Sequence, residues 1–185
     1  MADSIGNSLD RALEKVFTRP APKSTQAQMK YLVKQLKGTK AAAQALGISQ
    51  RTVERYVKGQ LKRPRQELRG RMEGEVRKRW QPQIKAKARK KAASTDGLVV
   101  STRARFGFTS AEGTTDDARI RDITQALPPE FADRLFTARE QGANEKQLQQ
   151  IAADGLAQMY FRDNNSRAQG LGVEFTDVEH IRIDL

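Results

Sequence analysis

TKAAAQALGISQRTVERYVK, residues Thr39 to Lys58, reads as two short helices joined by a tight turn. Ala42, Ala43 and Leu46 give the first helix a small apolar face. Gly47 sits where the chain must turn, because glycine reaches positive φ without a Cβ clash. Ile48 fills the corner, and Ser49 can cap the next helix by accepting a backbone N–H bond. Val53, Tyr56 and Val57 form the inward stripe of that second helix. Gln50, Arg51, Thr52 and Arg55 then face outward near its N-terminus, the end that meets base edges in a helix-turn-helix. The spacing predicts that motif and a DNA ligand. The competing reading is a helical hairpin with a solvated basic face.

On the N-terminal side, Ile5, Leu9, Leu13 and Phe17 share one face of an amphipathic helix, with Ala12 and Val16 beside them. That pattern is unlike a secretion signal. The helix should stop before Thr18-Arg19-Pro20. Ser24 can cap a second helix with Met29, Leu32, Val33 and Leu36 inward, closed by Gly38. On the C-terminal side, Gly59 stops the reading helix and Pro64 suits the start of a new one. There Leu68, Met72, Val76 and Trp80 recur every four residues, surrounded by Arg69, Arg71, Arg77, Lys78 and Arg79. Pro82 interrupts that pattern. The tract IKAKARKKAAS, residues 84–94, has little to bury and reads as an exposed helical extension or a linker. Its Lys85, Lys87, Arg89, Lys90 and Lys91 would meet phosphates without sequence preference.

After Gly97 the period changes from 3.6 to 2. Val100, Thr102, Ala104, Phe106 and Phe108 alternate with Ser101, Arg103 and Arg105, the mark of a strand with one buried face. A loop over 109–117 leads to a second strand around 118–125. Pro128-Pro129 opens a helix with Phe131, Leu135 and Ala138. Gly142 ends it, and Asn144 can cap another helix whose apolar positions are Leu148, Ile151, Ala152, Leu156 and Tyr160. After the polar turn 164–172, Val173, Phe175, Ile181, Ile183 and Leu185 share a parity and suggest a last strand or hairpin. The fold class is therefore α+β: an all-α helix-turn-helix domain over 1–93, then a small antiparallel α+β domain over 94–185 of order β-β-α-α-β.

Charge follows the same division. The chain carries 34 Lys+Arg against 22 Asp+Glu, a net +12. Residues 1–93 hold 24 basic and 7 acidic side chains, whereas 94–185 hold 10 and 15. Such polarity suits one half to a polyanion, since Lys and Arg bind DNA by displacing its condensed counterions. The candidate contacts are Lys40, Ser49, Gln50, Arg51, Thr52, Arg55, Lys58, Arg77, Lys78 and Arg79. With no cysteine there is neither a disulfide nor a thiolate zinc site, and the single His180 rules out a histidine metal cluster. No apolar run approaches the length of a membrane span. The expected location is cytoplasmic, at the nucleoid.

No phosphate-binding GxxxxGK[ST] loop, GxSxG elbow or HExxH motif is present. Asp116-Asp117 and Asp163 read as turn and cap chemistry rather than as metal ligands. The segment 109–117 offers Ser110, Thr114 and Thr115 beside Gly113, in a polar stretch expected to be exposed. A threonine hydroxyl is a weak nucleophile and needs an external base or metal to attack. By composition alone this is an ordinary turn.

Resemblance adds a function. The opening MADSIGNSLDRALEKVFTRPAPKS, the block GTKAAAQALGISQRTVERYVKGQLKRPR, EVRKRWQPQ, TRARFGFTSAEGTTDDARIR, QLQQIAADGLAQMYFRD and VEFTDVEHIRIDL together resemble the telomere terminal proteins of linear Streptomyces chromosomes and plasmids. That family caps replicon ends, is covalently attached to DNA 5′ ends, and supplies a hydroxyl primer when recessed ends are filled. The resemblance implies that Thr114, in Gly113-Thr114-Thr115-Asp116-Asp117, carries the linkage, with Thr115 its rival. It also implies that the chain is a substrate and primer rather than an enzyme. Its partners would be telomeric DNA, a telomere-associated protein on the 3′ overhang and a DNA polymerase, with self-association as a further expectation. No cofactor of its own is expected; divalent metal ions would come from the polymerase. The alternative is a helix-turn-helix transcription regulator with a C-terminal dimerisation or sensing domain.

Overall fold

The computed structural model describes all residues except 1–3, 111, 112 and 118, and the backbone alone at 110 and 116. Among the described residues it contains eight α-helices and a four-stranded antiparallel sheet, a mixed α+β architecture. The chain forms two compact units. One is the stretch Thr18–Pro82; the other joins the segment up to Phe17 to Gln83–Leu185. The expected boundary at residue 93 does not coincide with this division, because the first helix and the basic helix both belong with the sheet.

The helical unit holds α2 (Thr25–Gln35), α3 (Thr39–Leu46), α4 (Gln50–Val57) and α5 (Gln66–Arg79). Its core is Met29, Leu32, Ala42, Ala43, Leu46, Val53, Tyr56, Leu68, Met72 and Val76. Val33, Leu36, Ile48 and Val57 are partly buried around it. Trp80 closes one end, edge-on to Tyr31 at 5.0 Å, and donates its Nε1–H to the Arg19 carbonyl at 3.2 Å. Burial pushes the Tyr31 phenol up, and its hydroxyl donates to the Arg79 carbonyl at 2.6 Å. This unit carries 17 Lys+Arg against 4 Asp+Glu, so +13, and the rest of the chain is near neutral at −1. The contrast between the units is thus smaller than across a cut at residue 93, but the positive excess is concentrated in the 65 residues of the helical unit.

The sheet unit contains α1 (Ile5–Lys15), most of α6 (Pro82–Lys91) with its π-helical end Ala92–Asp96, β1 (Leu98–Ser110), β2 (Gly113–Asp116), β3 (Arg121–Leu127), α7 (Pro129–Glu140), α8 (Glu145–Leu156) with its π-helical end Ala157–Phe161, and β4 (Gly172–Asp184). β1 is central. β4 pairs along nearly its whole length on one side, and β3 and β2 pair in succession on the other. The order is thus β-β-β-α-α-β, and the expected loop 109–117 is largely a hairpin. The second strand also starts later than expected, at Arg121.

One sheet face is covered. Leu98, Val100, Ala104 and Phe106 of β1 pack with Ile123, Leu127, Ile181 and Ile183, beneath Phe131, Leu135, Leu148 and Leu156 of the helices. α1 joins this core through Ile5, Leu9 and Ala12, and the buried Ser8 hydroxyl accepts the Ile183 amide at 2.7 Å. Glu145 caps α1 by accepting the Ile5 and Gly6 amides at 2.6 and 3.3 Å, and Lys15 pairs with Asp184, whose carboxyl is held below its usual range. The parity of β4 survives two irregularities, between the partners of Arg103/Ala104 and of Arg105/Phe106. Each adds one residue to β4, and two additions return the side chains to the same face. Gly97, at φ 71°, permits a close turn into β1: a Cβ there would lie 2.1 Å from the Leu127 carbonyl oxygen.

Two side chains differ from expectation. Tyr160 is exposed, and Phe161 takes the core position against Phe106 and Phe108, at 5.2 Å from each. The wider π turn at Ala157–Phe161 advances the phase by one residue. Leu185 is 40% exposed rather than part of the buried stripe.

Candidate nucleic-acid interface and hydroxyl arm

α3 and α4 are joined by three residues. Gly47 takes φ 61°, ψ 41°, and the Ile48 amide returns to the Ala43 carbonyl at 3.0 Å. Ser49 is extended and caps α4 by accepting the Thr52 amide at 3.2 Å; its hydroxyl also lies 2.8 Å from Thr52 Oγ1. Gln26 Nε2 donates to the Val57 carbonyl at 2.9 Å, closing the other end of α4. Both termini of this eight-residue helix are thus satisfied, so its exposed side stands on a fixed backbone.

The candidate contacts fall into two groups. Lys40, Arg51, Arg55 and Lys58 are exposed on the surface. Gln50 is exposed but occupied: its Nε2 donates to Thr39 Oγ1 at 3.0 Å and to Glu54 Oε1 at 3.1 Å. Bidentate reading of adenine by Gln50 would therefore break an internal bond, because that pairing uses both the amide oxygen and nitrogen. Ser49 and Thr52 are committed to one another. On α4 the exposed cations are Arg51 and Arg55.

The basic stretch 77–91 is less available than expected. Arg79 pairs with Glu75 and also donates to its carbonyl, and Lys78 lies 3.6 Å from the same carboxylate. Arg89 pairs with Glu140 and stacks 5.9 Å from the Phe136 ring, and Lys91 pairs with Asp96 at 2.7 Å. Lys85 sits 5.4 Å from the Phe17 ring centre. Arg79 and Arg89 in particular are structural cations of their own units. The tract is helix α6 rather than a linker.

In the sheet unit the hairpin register separates the two threonines. Thr114 stands opposite Thr109 and Thr115 opposite Phe108. Successive residues of a strand point to opposite faces. Thr115 thus shares the helix-covered face with Phe108, and Thr114 lies on the open face with its Oγ1 3.4 Å from Thr109 Oγ1. Both are exposed. At the preceding Gly113, with φ 132°, even an added Cβ would meet nothing within 4 Å. The side chain of Ser110 lies outside the described residues.

Asp117 locks the base of this arm, a role the sequence analysis missed. Its amide donates to the Phe106 carbonyl at 3.0 Å. Its carboxylate accepts the Arg119 amide at 3.0 Å, the Arg119 guanidinium at 3.1 and 3.2 Å, and Arg121 Nη2 at 2.7 Å. The guanidinium and amide of Arg119, then Arg121, hold the Asp117 carboxyl far below the usual carboxylate range. The Asp-x-Arg-x-Arg spacing carried that signal. With its oxygens so engaged, Asp117 is a clamp. Asp163 is exposed in a turn where its carbonyl accepts from Ser166, and among the described residues no group of three or more His, Cys, Asp or Glu could hold a metal.

This clamp has a pH sign. A depressed folded pKa contributes stability above the ordinary Asp value of about 3.9, lost as pH falls through the lower folded value. Amide protection over 113–117 should therefore persist from neutrality to about pH 4 and fail only in stronger acid. Asp117→Asn should lower that protection already at neutral pH, read by hydrogen exchange. Equal protection in parent and variant would remove the clamp.

On the open face, Arg103 bridges Asp122 at 2.6 Å and Glu179 at 2.7 Å, and both acids raise its pKa. His180, its partner on β4, is exposed. No helix among the described residues is long and apolar enough to cross a membrane. Comparison with protein-family models, with curated proteins and with solved structures returns no match.

Proposed function

We propose that this chain is a telomere terminal protein, a DNA-bound protein primer for linear replicon ends. The observation that carries the reading is the pairing of two devices in one chain. A small helical unit holds all of the positive excess and presents Arg51 and Arg55 from a doubly capped helix. A separate sheet unit holds Thr114 outward on a clamped hairpin arm. The resemblance of the GTTDD segment to the family's linkage motif supports the choice of Thr114.

In this reading α3 and α4 are a helix-turn-helix that seats the protein on telomeric duplex. Thr114 Oγ1 attacks the α-phosphorus of a deoxynucleoside triphosphate. The new bond is the threonyl phosphodiester, the bond to the bridging α–β oxygen breaks, and pyrophosphate leaves. The hydroxyl proton passes to a base or water of the polymerase site. The Thr109 hydroxyl 3.4 Å from Thr114 Oγ1 is not a strong base, and in this reading activation falls to the polymerase and its metal ions. The nucleotide's 3′-hydroxyl is then free for extension. A telomere-associated protein holding the 3′ overhang completes the assembly, which sits at replicon ends in the nucleoid.

The test is peptide mass mapping of nuclease-trimmed protein isolated from linear replicons. A nucleotide adduct on the peptide containing Thr114 is expected. Operator-specific repression with no adduct would replace this reading with a transcription regulator. The DNA-reading half has its own test. Arg51→Ala and Arg55→Ala should each weaken duplex binding by about 1–3 kcal/mol, roughly 5- to 150-fold, without changing the fold. Titrations in which both variants match the parent on telomeric and random duplexes would acquit α4.

A further inference from the structure

We propose that α5 and the turn before it form a two-ended phosphate clamp around α4, binding the DNA backbone without regard to sequence. This rests on the reading of α4 as the helix that meets DNA. None of the side chains involved belongs to the contact set expected from the sequence.

At the N-terminal end of α4, Arg71 covers the turn. A Cβ on Gly47 would stand 2.9 Å from Arg71 Nη1, so the guanidinium lies directly against the bend that leads into α4. Arg71 is exposed, and no carboxylate partners it among the described residues. At the C-terminal end, the chain is tied down before it reaches α5. The Gln60 and Leu61 amides donate to the Arg55 carbonyl at 2.9 and 3.4 Å, and Thr25 Oγ1 donates to the Lys62 carbonyl at 3.1 Å. Leu61 is half-buried against the core. Lys62, Arg63 and Arg65 follow, all exposed, with Pro64 fixing one φ among them. Three cations in four residues thus stand on a backbone held to α2 and α4.

Among the described residues no salt bridge engages Lys62, Arg63, Arg65 or Arg71, although the exposed Glu67 and Glu73 share α5 with Arg71. Of the unit's four acids, Glu75 pairs with Lys78 and Arg79, and Glu54 accepts from Gln50. Arg69 extends the cationic surface along α5. Exposed cations on a tied backbone point to a polyanion, and their places at the ends of α4 set their partner. Eight residues at 1.5 Å per residue make α4 about 12 Å long. The DNA major groove, about 12 Å wide, admits an α-helix by its diameter of about 10–12 Å. Cations set just beyond both ends of so short a helix come within reach of the phosphates that border the groove. Long single side chains beyond the helix suit phosphate oxygens, which fix position but carry no sequence information.

The experiment uses the full chain with two duplexes of equal length, a telomere-end sequence and a scrambled one, titrated at several salt concentrations. Arg71→Ala should make the slope of log affinity against log salt shallower by about 0.9, and the triple variant Lys62→Ala, Arg63→Ala, Arg65→Ala by about 2.7. Losses should be equal on both duplexes. Arg71→Lys, which keeps the charge, should retain the parent slope. Unchanged slopes in the alanine variants would overturn the clamp. So would a loss confined to one duplex, since that marks base or groove-shape reading. If Arg51→Ala and Arg55→Ala weaken binding while these variants do not, the clamp alone falls. If the parent binds neither duplex, the DNA-reading assignment falls with it. All four side chains are exposed, and an unchanged thermal midpoint verifies that each variant is folded.

Discussion

Thr114→Ala abolishes covalent transfer of a labelled deoxynucleotide in a reaction reconstituted with the polymerase and a telomeric template. This is the expected result, and it is a loss to background rather than a graded effect, because no other atom replaces the attacking oxygen. Thr114→Ser restores a hydroxyl on a more mobile side chain and should retain part of the labelling. Thr115→Ala should label as the parent does. Thr115 is as exposed as Thr114 and one peptide bond away, so chain position alone would let either react. The register distinguishes them, since Thr115 shares a face with Phe108 and the helix-side aromatic cluster. An active site that receives Thr114 from the open face meets Thr115 with its hydroxyl turned away. Thr109→Ala removes the hydroxyl 3.4 Å from Thr114 Oγ1 and tests whether that neighbour orients the nucleophile. Full labelling of Thr114→Ala, with the adduct at Thr115, would reverse the assignment.

The parts legible in the sequence are those specified by local chemistry. Gly47 and Ser49 determine the turn and cap within three residues, and the alternation from Val100 to Phe106 needs only the period of a strand. What was not legible depends on partners distant in sequence. The stripe Ile5, Leu9 and Ala12 says that one face of α1 is buried, but not that it lies against β4, some 170 residues away. A charge count therefore placed α1 with the basic half. Similarly, GTTDD reads as a loop because glycine, threonine and aspartate are turn residues. Pairing with Gly107 to Ser110 makes it a strand, and only that pairing assigns a face to each threonine. Tyr160 failed for a local reason that no periodicity reports: a single π turn shifts the helix phase by one residue. The pairing of Arg79 was not legible because a cation near Glu75 looks the same in sequence whether it is paired or available.

That difference in boundary leads to the second large effect. A fragment over 94–185, the natural cut by periodicity and charge, should not fold cooperatively, whereas a fragment over 18–82 should. Removing α1 strips Ile5 and Leu9, each wholly buried, from the core of the sheet unit. Burial of such side chains stabilises by about 1.5–3 kcal/mol each. The cut also exposes the apolar surface they cover and leaves the Ile183 amide without its Ser8 acceptor. The loss is about 5 kcal/mol or more, which matches the whole stability of many domains, about 5–15 kcal/mol. The cut further removes α6 and, just after it, Ala92, which is buried in the same core. In the intact chain, Leu9→Ala should cost about 2–5 kcal/mol, read as a lower urea midpoint. By contrast, 18–82 keeps its complete core of ten buried residues and both caps of α4. Its charge of +13 should give duplex binding with a steep salt dependence, since each phosphate contact releases condensed counterions. Circular dichroism melts of the two fragments, with salt titrations of the smaller one, decide the matter. A cooperative transition from 94–185 at the parent's stability would mean that α1 is dispensable to the sheet. Absence of duplex binding by a folded 18–82 would mean that the cationic unit needs the sheet unit to engage DNA.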